Sequence, residues 1–265
     1  MVRAEAIGWR AHAALTASAG VAKVIAPLSC SFYAEAAGEL IWVGNPETLL
    51  HPRAVLATVA RVPDAGANVD VTVDRVVPWQ PFRPRMTGDP AMSGARTLRT
   101  VLTRLGPPRG LARLLFGADR DDAVLMRARR HVREMVSAGA RDDAAGFAEA
   151  ARPLLGLGEG LTPSGDDLVG GALFACPLSG RTDPAWDAAI ARLVADARLR
   201  THPISARLLA DLAAGEAWAP LHDLASALAC VDVNAAHRSA RELTTLGDSS
   251  GWSLLAGVVV GLSTG

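Results

Sequence analysis

Over the first 80 residues, apolar side chains recur in short runs bounded by turn residues, a pattern typical of β-strands. We expect strands at residues 21–27, 31–34, 39–43 and 69–77, with a turn at 36–38. Residues 2–18 place Ile7, Ala11 and Leu15 on one face and stop before Gly20, which predicts a short helix. Residues 52–62 fit a helix or a strand equally well. The pattern predicts a small β-rich N-terminal module, residues 1–80.

The character of the chain changes after an interval rich in proline. Residues 78–94 contain four prolines and two glycines, so we expect a linker or surface loop at 81–100, with a lid as the less common alternative. From residue 101 to 265, Leu, Val, Met and Ala recur at helical spacing, with helices expected at 109–116, 121–137 and 142–151. Further helix starts are expected at Asp183-Pro184, His202-Pro203, Pro220 and Asp232. The predicted fold class is therefore α+β, a β-rich module followed by a larger α-helical domain.

The most informative stretch is residues 156–176, which read G-L-G-E-G-L-T-P-S-G-D-D-L-V-G-G-A-L-F-A-C. Its glycines permit positive φ angles and close backbone approach. The hydroxyls of Thr162 and Ser164 are followed by the carboxylates of Asp166 and Asp167, and then by apolar and small residues that predict a buried helix. The G-x-x-x-x-G spacing is that of a phosphate-binding loop. However, two carboxylates replace the expected Lys-Ser/Thr and would repel a bare phosphate, which disfavours a nucleotide-binding loop.

Two interpretations of the adjacent aspartates stay open. In the first, the segment only caps a helix, with either Thr162 ahead of Pro163 or Ser164 together with Asp167 forming the cap. In the second, the carboxylates do chemistry: they accept hydrogen bonds from amide or amine groups, hold Mg²⁺ together with a phosphate, or act as general acid and base. The residue types alone do not separate the two.

A second stretch, residues 250–257, repeats the register of residues 164–171. S-G-W-S-L-L-A-G and S-G-D-D-L-V-G-G share the Ser, the first Gly, the Leu and the final Gly, and both precede an apolar helix with small residues one turn in. We infer two similar loop-helix elements that face each other across one cleft. The alternative is coincidence in a chain rich in Ala, Gly and Leu.

At these residues the sequence resembles the AllH-like family, associated with the oxamate carbamoyltransferase of anaerobic allantoin degradation, in which AllH is one of three kinds of subunit. The resemblance rests on G-L-G-x-G-L-T-P-S-G-D-D at 156–167. Weaker echoes are the R-T-x-x-I-S pattern at 200–205 and G-x-S-S-G-W at 247–252. The family pattern has an Asp after S-G-W where this chain has Ser253, so we expect either altered activity or replacement of that Asp by Asp248.

The resemblance implies a subunit that helps to transfer a carbamoyl group between oxalurate and phosphate in purine catabolism, together with hetero-oligomeric partner subunits. Asp166 and Asp167 would be catalytic and would accept amide hydrogens of the substrate. The substrate-binding residues would be Gly158, Gly160, Thr162, Ser164, Gly165, Arg200, Thr201, Ser205, Ser249, Ser250 and Gly251. No cofactor is implied, with Mg²⁺ on the two aspartates as an alternative. The alternative functions are a non-catalytic assembly subunit and a free-standing enzyme that depends on Mg²⁺ and phosphate.

Composition narrows the classes of partner. With 27 basic and 27 acidic residues the formal net charge is zero, so no nucleic acid or anionic membrane partner is expected. The basic run Arg127, Arg129, Arg130 and Arg133 is typical of a solvated helix face, with an anion site as the less common alternative.

The three cysteines and six histidines lack metal-ligand spacing, so no metal site is expected from them. Neither a signal peptide nor an apolar run of membrane-spanning length stands out, which predicts a cytoplasmic protein.

Overall fold

The computed structural model describes residues 1–82, 90–116 and 122–263. Contacts divide the chain into two units. The N-terminal unit comprises residues 1–82 together with 217–219, and the helical unit comprises the remainder of the described chain. Strands lie in the first and helices dominate the second, which confirms the predicted α+β class.

The N-terminal unit is built on a seven-stranded sheet with strand order β1-β7-β3-β4-β5-β6-β2. The strands are Val2–Arg3 (β1), Ala6–Ile7 (β2), Val21–Pro27 (β3), Phe32–Ala36 (β4), Glu39–Gly44 (β5), Ala54–Leu56 (β6) and Asn68–Thr72 (β7). Antiparallel pairing links β7, β3, β4 and β5, whereas β5 with β6 and β1 with β7 are parallel. One helix, α1 (Trp9–Ala17), packs its apolar face into the core beside Phe32, Ile41 and Val43.

The helix predicted for residues 2–18 is correct only from Trp9 onward. Residues 2–7 instead form β1 and β2, which complete opposite edges of the sheet, and Gly8 is the extended N-cap of α1. A Cβ atom on Gly8 would overlap the backbone of His51 and Pro52, so the chain passes closely here. Pairing with strands distant in sequence overrides the local helical periodicity. Residues 52–62, which fitted a helix or a strand, contain the strand β6, which pairs with β2 and β5. The strand expected at 69–77 ends at Thr72.

Within the described residues, the helical unit contains the helices α2 to α10. Their bounds are Pro90–Leu102 (α2), Ala123–Ala140 (α3), Ala144–Ala151 (α4), Ser164–Ala175 (α5), Pro184–Arg200 (α6), Pro203–Ala213 (α7), Ala219–Ala229 (α8), Val233–Leu243 (α9) and Ser250–Leu262 (α10). Asp183 and Asp232 cap α6 and α9 as their positions predicted, each accepting two backbone N–H groups. None of the helices that the structure describes is both long and apolar enough to cross a membrane.

Helix α2 occupies the second part of the interval 81–100, for which the sequence predicted a linker or loop. Proline is tolerated in the first turn of a helix, where its missing N–H has no helical partner, and Pro90 holds that position. The buried residues Ala95, Leu98 and Leu102 then follow at helical spacing. Residues 83–89 of this interval, where a lid was the alternative, lie outside the described residues.

Helices α5 and α10 form the centre of the helical unit, because they are buried along almost their whole length. Their backbones touch where glycine removes the side chain. A Cβ atom on Gly171 would overlap the carbonyl oxygen of Leu254, and one on Gly257 would overlap that of Leu168. Two helices that approach through bare backbone are held in one register, since any side chain at these positions would separate them.

The C-terminal end of α10 is fixed by a buried arginine, Arg181. Its guanidinium donates to the carbonyl oxygens of Gly261 and Ser263 in and after α10, and to that of Gly139 at the end of α3, the last two at 2.8 Å. A cation at the carbonyl end of two helices also complements their dipoles. Arg181 therefore ties α3 and α10 together at the end opposite to residues 155–163, which we call the glycine-rich loop.

We expect Gly257→Ala to lower the free energy of unfolding by about 2–3 kcal/mol, because the new methyl group would overlap the backbone of Leu168. Gly170→Ala is the matched control: it also adds one methyl group to a central helix, but its neighbour is the movable side-chain end of Leu212. Urea denaturation followed by circular dichroism measures both variants. Equal stability of the two would contradict the close backbone approach of α5 and α10.

Candidate functional site

The packing of α5 against α10 brings the N-terminal ends of the two helices together. Thr162 Oγ1 lies 3.3 Å from Ser250 Oγ, and Ser164 Oγ lies 3.2 Å from Ser249 Oγ. We call these four half-buried side chains the hydroxyl cluster. The two similar loop-helix elements face each other as predicted, but their hydroxyls are in direct contact where a cleft was expected. The cluster offers both donors and acceptors at one place, because each hydroxyl can do either.

Asp166 is almost completely buried, with 2% of its surface exposed, and both of its oxygens are engaged. Oδ1 accepts the Gly156 N–H at 2.7 Å, and Oδ2 accepts the Ser205 hydroxyl at 2.6 Å and the Thr201 hydroxyl. Burial raises the pKa of Asp166, while the hydrogen bonds from Ser205, Thr201 and Gly156 act in the opposite direction. This carboxylate joins the start of the glycine-rich loop, α5 and the start of α7.

Asp167 is buried as deeply but is less well satisfied. It is 6% exposed, and its Oδ2 has no hydrogen-bond partner within the described parts of the chain. Burial raises the pKa of Asp167 to about 8, the Ser250 hydroxyl counteracts this, and the charge of Asp166 adds to it. At neutral pH Asp167 therefore carries a proton. A buried carboxylic acid next to the hydroxyl cluster is a candidate proton donor.

Neither predicted helix cap at the start of α5 forms. The N-cap residue is Pro163, no side chain caps the helix, and the helix begins at Ser164. Both capping predictions for Thr162 and for Ser164 with Asp167 are wrong. Tertiary contacts are the reason. The hydroxyls of Thr162 and Ser164 contact Ser250 and Ser249, and both aspartates are buried in the interior.

The remaining predicted site residues divide between the loop and its supports. Thr201 and Ser205 donate to Asp166, so their hydroxyls support the loop. Gly165 and Gly251 are packing positions: their N–H groups donate to Leu157 and Leu246, and a Cβ atom on either would overlap a neighbouring carbonyl oxygen. The other three are Gly158 and Gly160, which lie in the glycine-rich loop with positive φ, and Arg200, whose side chain is exposed.

Ser253, which stands where the resemblance leads one to expect Asp, is fully buried. Its Oγ accepts the N–H of Leu111 at 3.3 Å, in a 3₁₀ turn formed by Gly110–Leu115. A Cβ atom on Gly110 would overlap this serine oxygen, so the turn packs directly on the start of α10. Sequence patterns gave no signal for this contact. Asp248, the proposed replacement, has a side chain that is 90% exposed and pairs with Arg109 at 3.0 Å, so it points into solvent.

The described residues contain no group of three or more His, Cys, Asp and Glu side chains arranged to hold a metal ion. Magnesium prefers several oxygen ligands in octahedral geometry. Both oxygens of Asp166 already accept protein hydrogen bonds, so of the two aspartates only Asp167 has an oxygen, Oδ2, without a partner among the described residues. The arrangement is suited to hydrogen bonding and proton transfer.

The two meeting loops lie in the part of the chain that is similar to a known family. Residues 154–262 match the family model described as oxamate carbamoyltransferase subunit AllH. The AllH match begins at the glycine-rich loop and ends in the last turn of α10, so it includes the hydroxyl cluster and both aspartates. The resemblance to AllH inferred from 156–167 is thereby confirmed. No curated protein and no solved structure gives a match.

The raised pKa of Asp167 makes the stability of the fold depend on pH. The unfolded chain releases this proton near pH 3.8 and the folded chain near pH 8, so between these values the native state binds one more proton. The free energy of unfolding should therefore fall as pH rises, by up to about 1.4 kcal/mol per pH unit from this group. Asp167→Asn removes the effect, and the variant should lose less stability between pH 5 and pH 8 in urea denaturation.

Asp187→Asn, an exposed aspartate in the first turn of α6, serves as the control and should keep the wild-type pH dependence. If Asp167→Asn leaves the slope of stability against pH unchanged, Asp167 is ionised in the folded protein at neutral pH and the assignment of a buried acid is wrong.

Asp166→Asn should destabilise the protein by about 3 kcal/mol, since an amide cannot accept all three hydrogen bonds and leaves buried donors unpaired. Ser205→Ala removes one donor only and should cost about 1 kcal/mol. Denaturant unfolding at constant pH distinguishes the two. A loss below about 0.5 kcal/mol for Asp166→Asn would show that this aspartate does not hold the loop in place.

Proposed function

We propose that this chain is an AllH-type subunit of an oxamate carbamoyltransferase, and that Asp167 with the hydroxyl cluster belongs to the site where the carbamoyl group moves between oxalurate and phosphate. The observation that carries the proposal is the buried, protonated Asp167 beside four hydroxyls, within the segment that matches AllH. The family description names a subunit, so we propose partner subunits of different sequence.

The reaction requires a proton at a defined atom. An oxygen of phosphate forms a bond to the terminal carbonyl carbon of oxalurate, and the bond from this carbon to the inner nitrogen breaks. The nitrogen must gain a proton to leave as the amide of oxamate, and the phosphate must lose one. A carboxylic acid with a pKa of about 8 can give the first proton and regain the second near neutral pH.

The hydroxyl cluster suits the charge that develops during this step. Negative charge accumulates on the carbonyl oxygen as phosphate attacks, and hydroxyl donors held in place stabilise it without rearranging. Ser249 and Ser250 lie at the start of α10, and Thr162 and Ser164 lie at the start of α5. The packing of α5 on α10 therefore sets the positions of all four hydroxyls. We therefore assign Asp167 the role of proton donor, where the sequence suggested an acceptor, and Asp166 the role of a positioning residue.

The two alternative functions have less support from the contacts. For an assembly subunit, the glycines of α5 and α10 would have to receive a partner chain, but Gly171 and Gly257 already contact the opposite helix of the same chain. For an enzyme dependent on Mg²⁺ and phosphate, two free carboxylates would be needed, and Asp166 is occupied by protein donors.

In a reconstituted complex, Asp167→Asn should lower the rate of carbamoyl phosphate formation about 100-fold or more, because an amide keeps the size of the side chain but cannot donate the proton. Asp187→Asn should retain the wild-type rate. Size-exclusion chromatography with the partner subunits verifies that both variants still assemble. Full activity of an assembled Asp167→Asn complex would refute the proposed role.

A further inference from the structure

A cavity of about 240 Å³ lies beside the glycine-rich loop. Its wall is formed by Val124 and Arg127 of α3 and by Leu155, Gly156, Gly158 and Glu159 of the loop. This volume is small for a ligand pocket, since pockets that bind drug-sized ligands measure about 300–1,000 Å³. The cavity therefore suits a molecule of only a few heavy atoms.

The glycines of the loop bring backbone N–H groups to this cavity. Gly156, Gly158 and Gly160 have φ angles of +77°, +124° and +83°, in the region that favours glycine. Backbone N–H groups that no protein acceptor takes are available as donors to an anion. The N–H of Gly156 is taken by Asp166, but within the described residues those of Gly158 and Glu159 donate to no protein group.

Arg127 supplies the positive charge at this cavity. It belongs to the basic run of α3, in which Arg130 is paired with Glu134 at 2.7 Å. Arg127 has no ion pair among the residues that the structure describes, and it lines the cavity as an exposed residue of α3. Glu159 brings one negative charge to the same wall. A site with one guanidinium and one carboxylate tolerates a singly charged anion better than a doubly charged one.

We propose that this cavity binds the carboxylate of a small substrate, with Arg127 and the N–H groups of Gly158 and Glu159 as donors. The proposal rests on the proposed function, in which oxalurate and oxamate each carry one carboxylate. Arginine binds planar carboxylates through two parallel hydrogen bonds, whereas the dianion of phosphate would be repelled by Glu159. Asp166 accepts the N–H of Gly156, which lines this cavity, and so holds this part of the loop in place.

The test is isothermal titration calorimetry of the full chain alone with oxamate, and in a second series with inorganic phosphate. Oxamate should bind, and Arg127→Gln should weaken its affinity about tenfold or more through the loss of a charge-assisted hydrogen bond. Glu159→Gln should tighten oxamate binding, because it removes the repelling charge. Arg133→Gln, an equal change of charge at an exposed position on the same helix, should leave the affinity unchanged.

Absence of oxamate binding by the wild-type chain, or an affinity that Arg127→Gln does not change, overturns the proposal. Phosphate binding that depends on Arg127 in the absence of oxamate binding overturns it as well. The measurement needs no partner subunit and no turnover, so its failure is distinct from failure of the proposed function. A complex without transferase activity whose subunit still binds oxamate through Arg127 would refute the function alone.

Discussion

The close approach of two backbones is the constraint from which the rest of the helical unit follows. Gly171 and Gly257 let α5 and α10 touch at carbonyl oxygens, and this contact sets the distance between the two helix starts. The four hydroxyls meet only because the helices are this close. The same contact buries Asp167, since its position one turn into α5 faces the interior formed by the pair. The raised pKa of Asp167 is thus a consequence of the packing of α5 against α10.

Adjacent aspartates have different roles because their surroundings differ. Asp166 is compensated by an amide and two hydroxyls, which makes it a junction between the loop, α5 and α7. The Ser250 hydroxyl favours the charged form of Asp167, but burial has the larger effect and raises the pKa of this group. Two neighbouring carboxyl groups can thus take different roles because their environments differ. Here the junction also holds Gly156, which belongs to the glycine-rich loop and lines the cavity at Arg127.

Sequence patterns predicted those features that depend on local chemistry. The bounds of β3 and the caps at Asp183 and Asp232 followed from short-range signals. The contact between the starts of α5 and α10 followed from the repeated register of residues 164–171 and 250–257. Apart from this repeat, local patterns carried no information on distant contacts. Other features set by distant contacts did not follow. Residues 2–7 contain β1 and β2 because they pair with β7 and β6, which are distant in sequence. No sequence pattern indicated that Gly110 and Leu111 pack on Ser253. The two aspartates looked equivalent in sequence, since only tertiary burial and the donors from α7 distinguish them.

The protonation state of Asp167 in the folded chain decides whether it can act as a proton donor. Carbon-13 NMR of the aspartate carboxyl carbons, with Asp167→Asn to assign the resonance, gives the titration midpoint of this group in the folded chain. We expect a midpoint near pH 8, with Asp167 protonated at neutral pH. A midpoint near the ordinary value of 3.8 would contradict it, because Asp167 would then be a carboxylate and could not donate the proton that the proposed reaction requires.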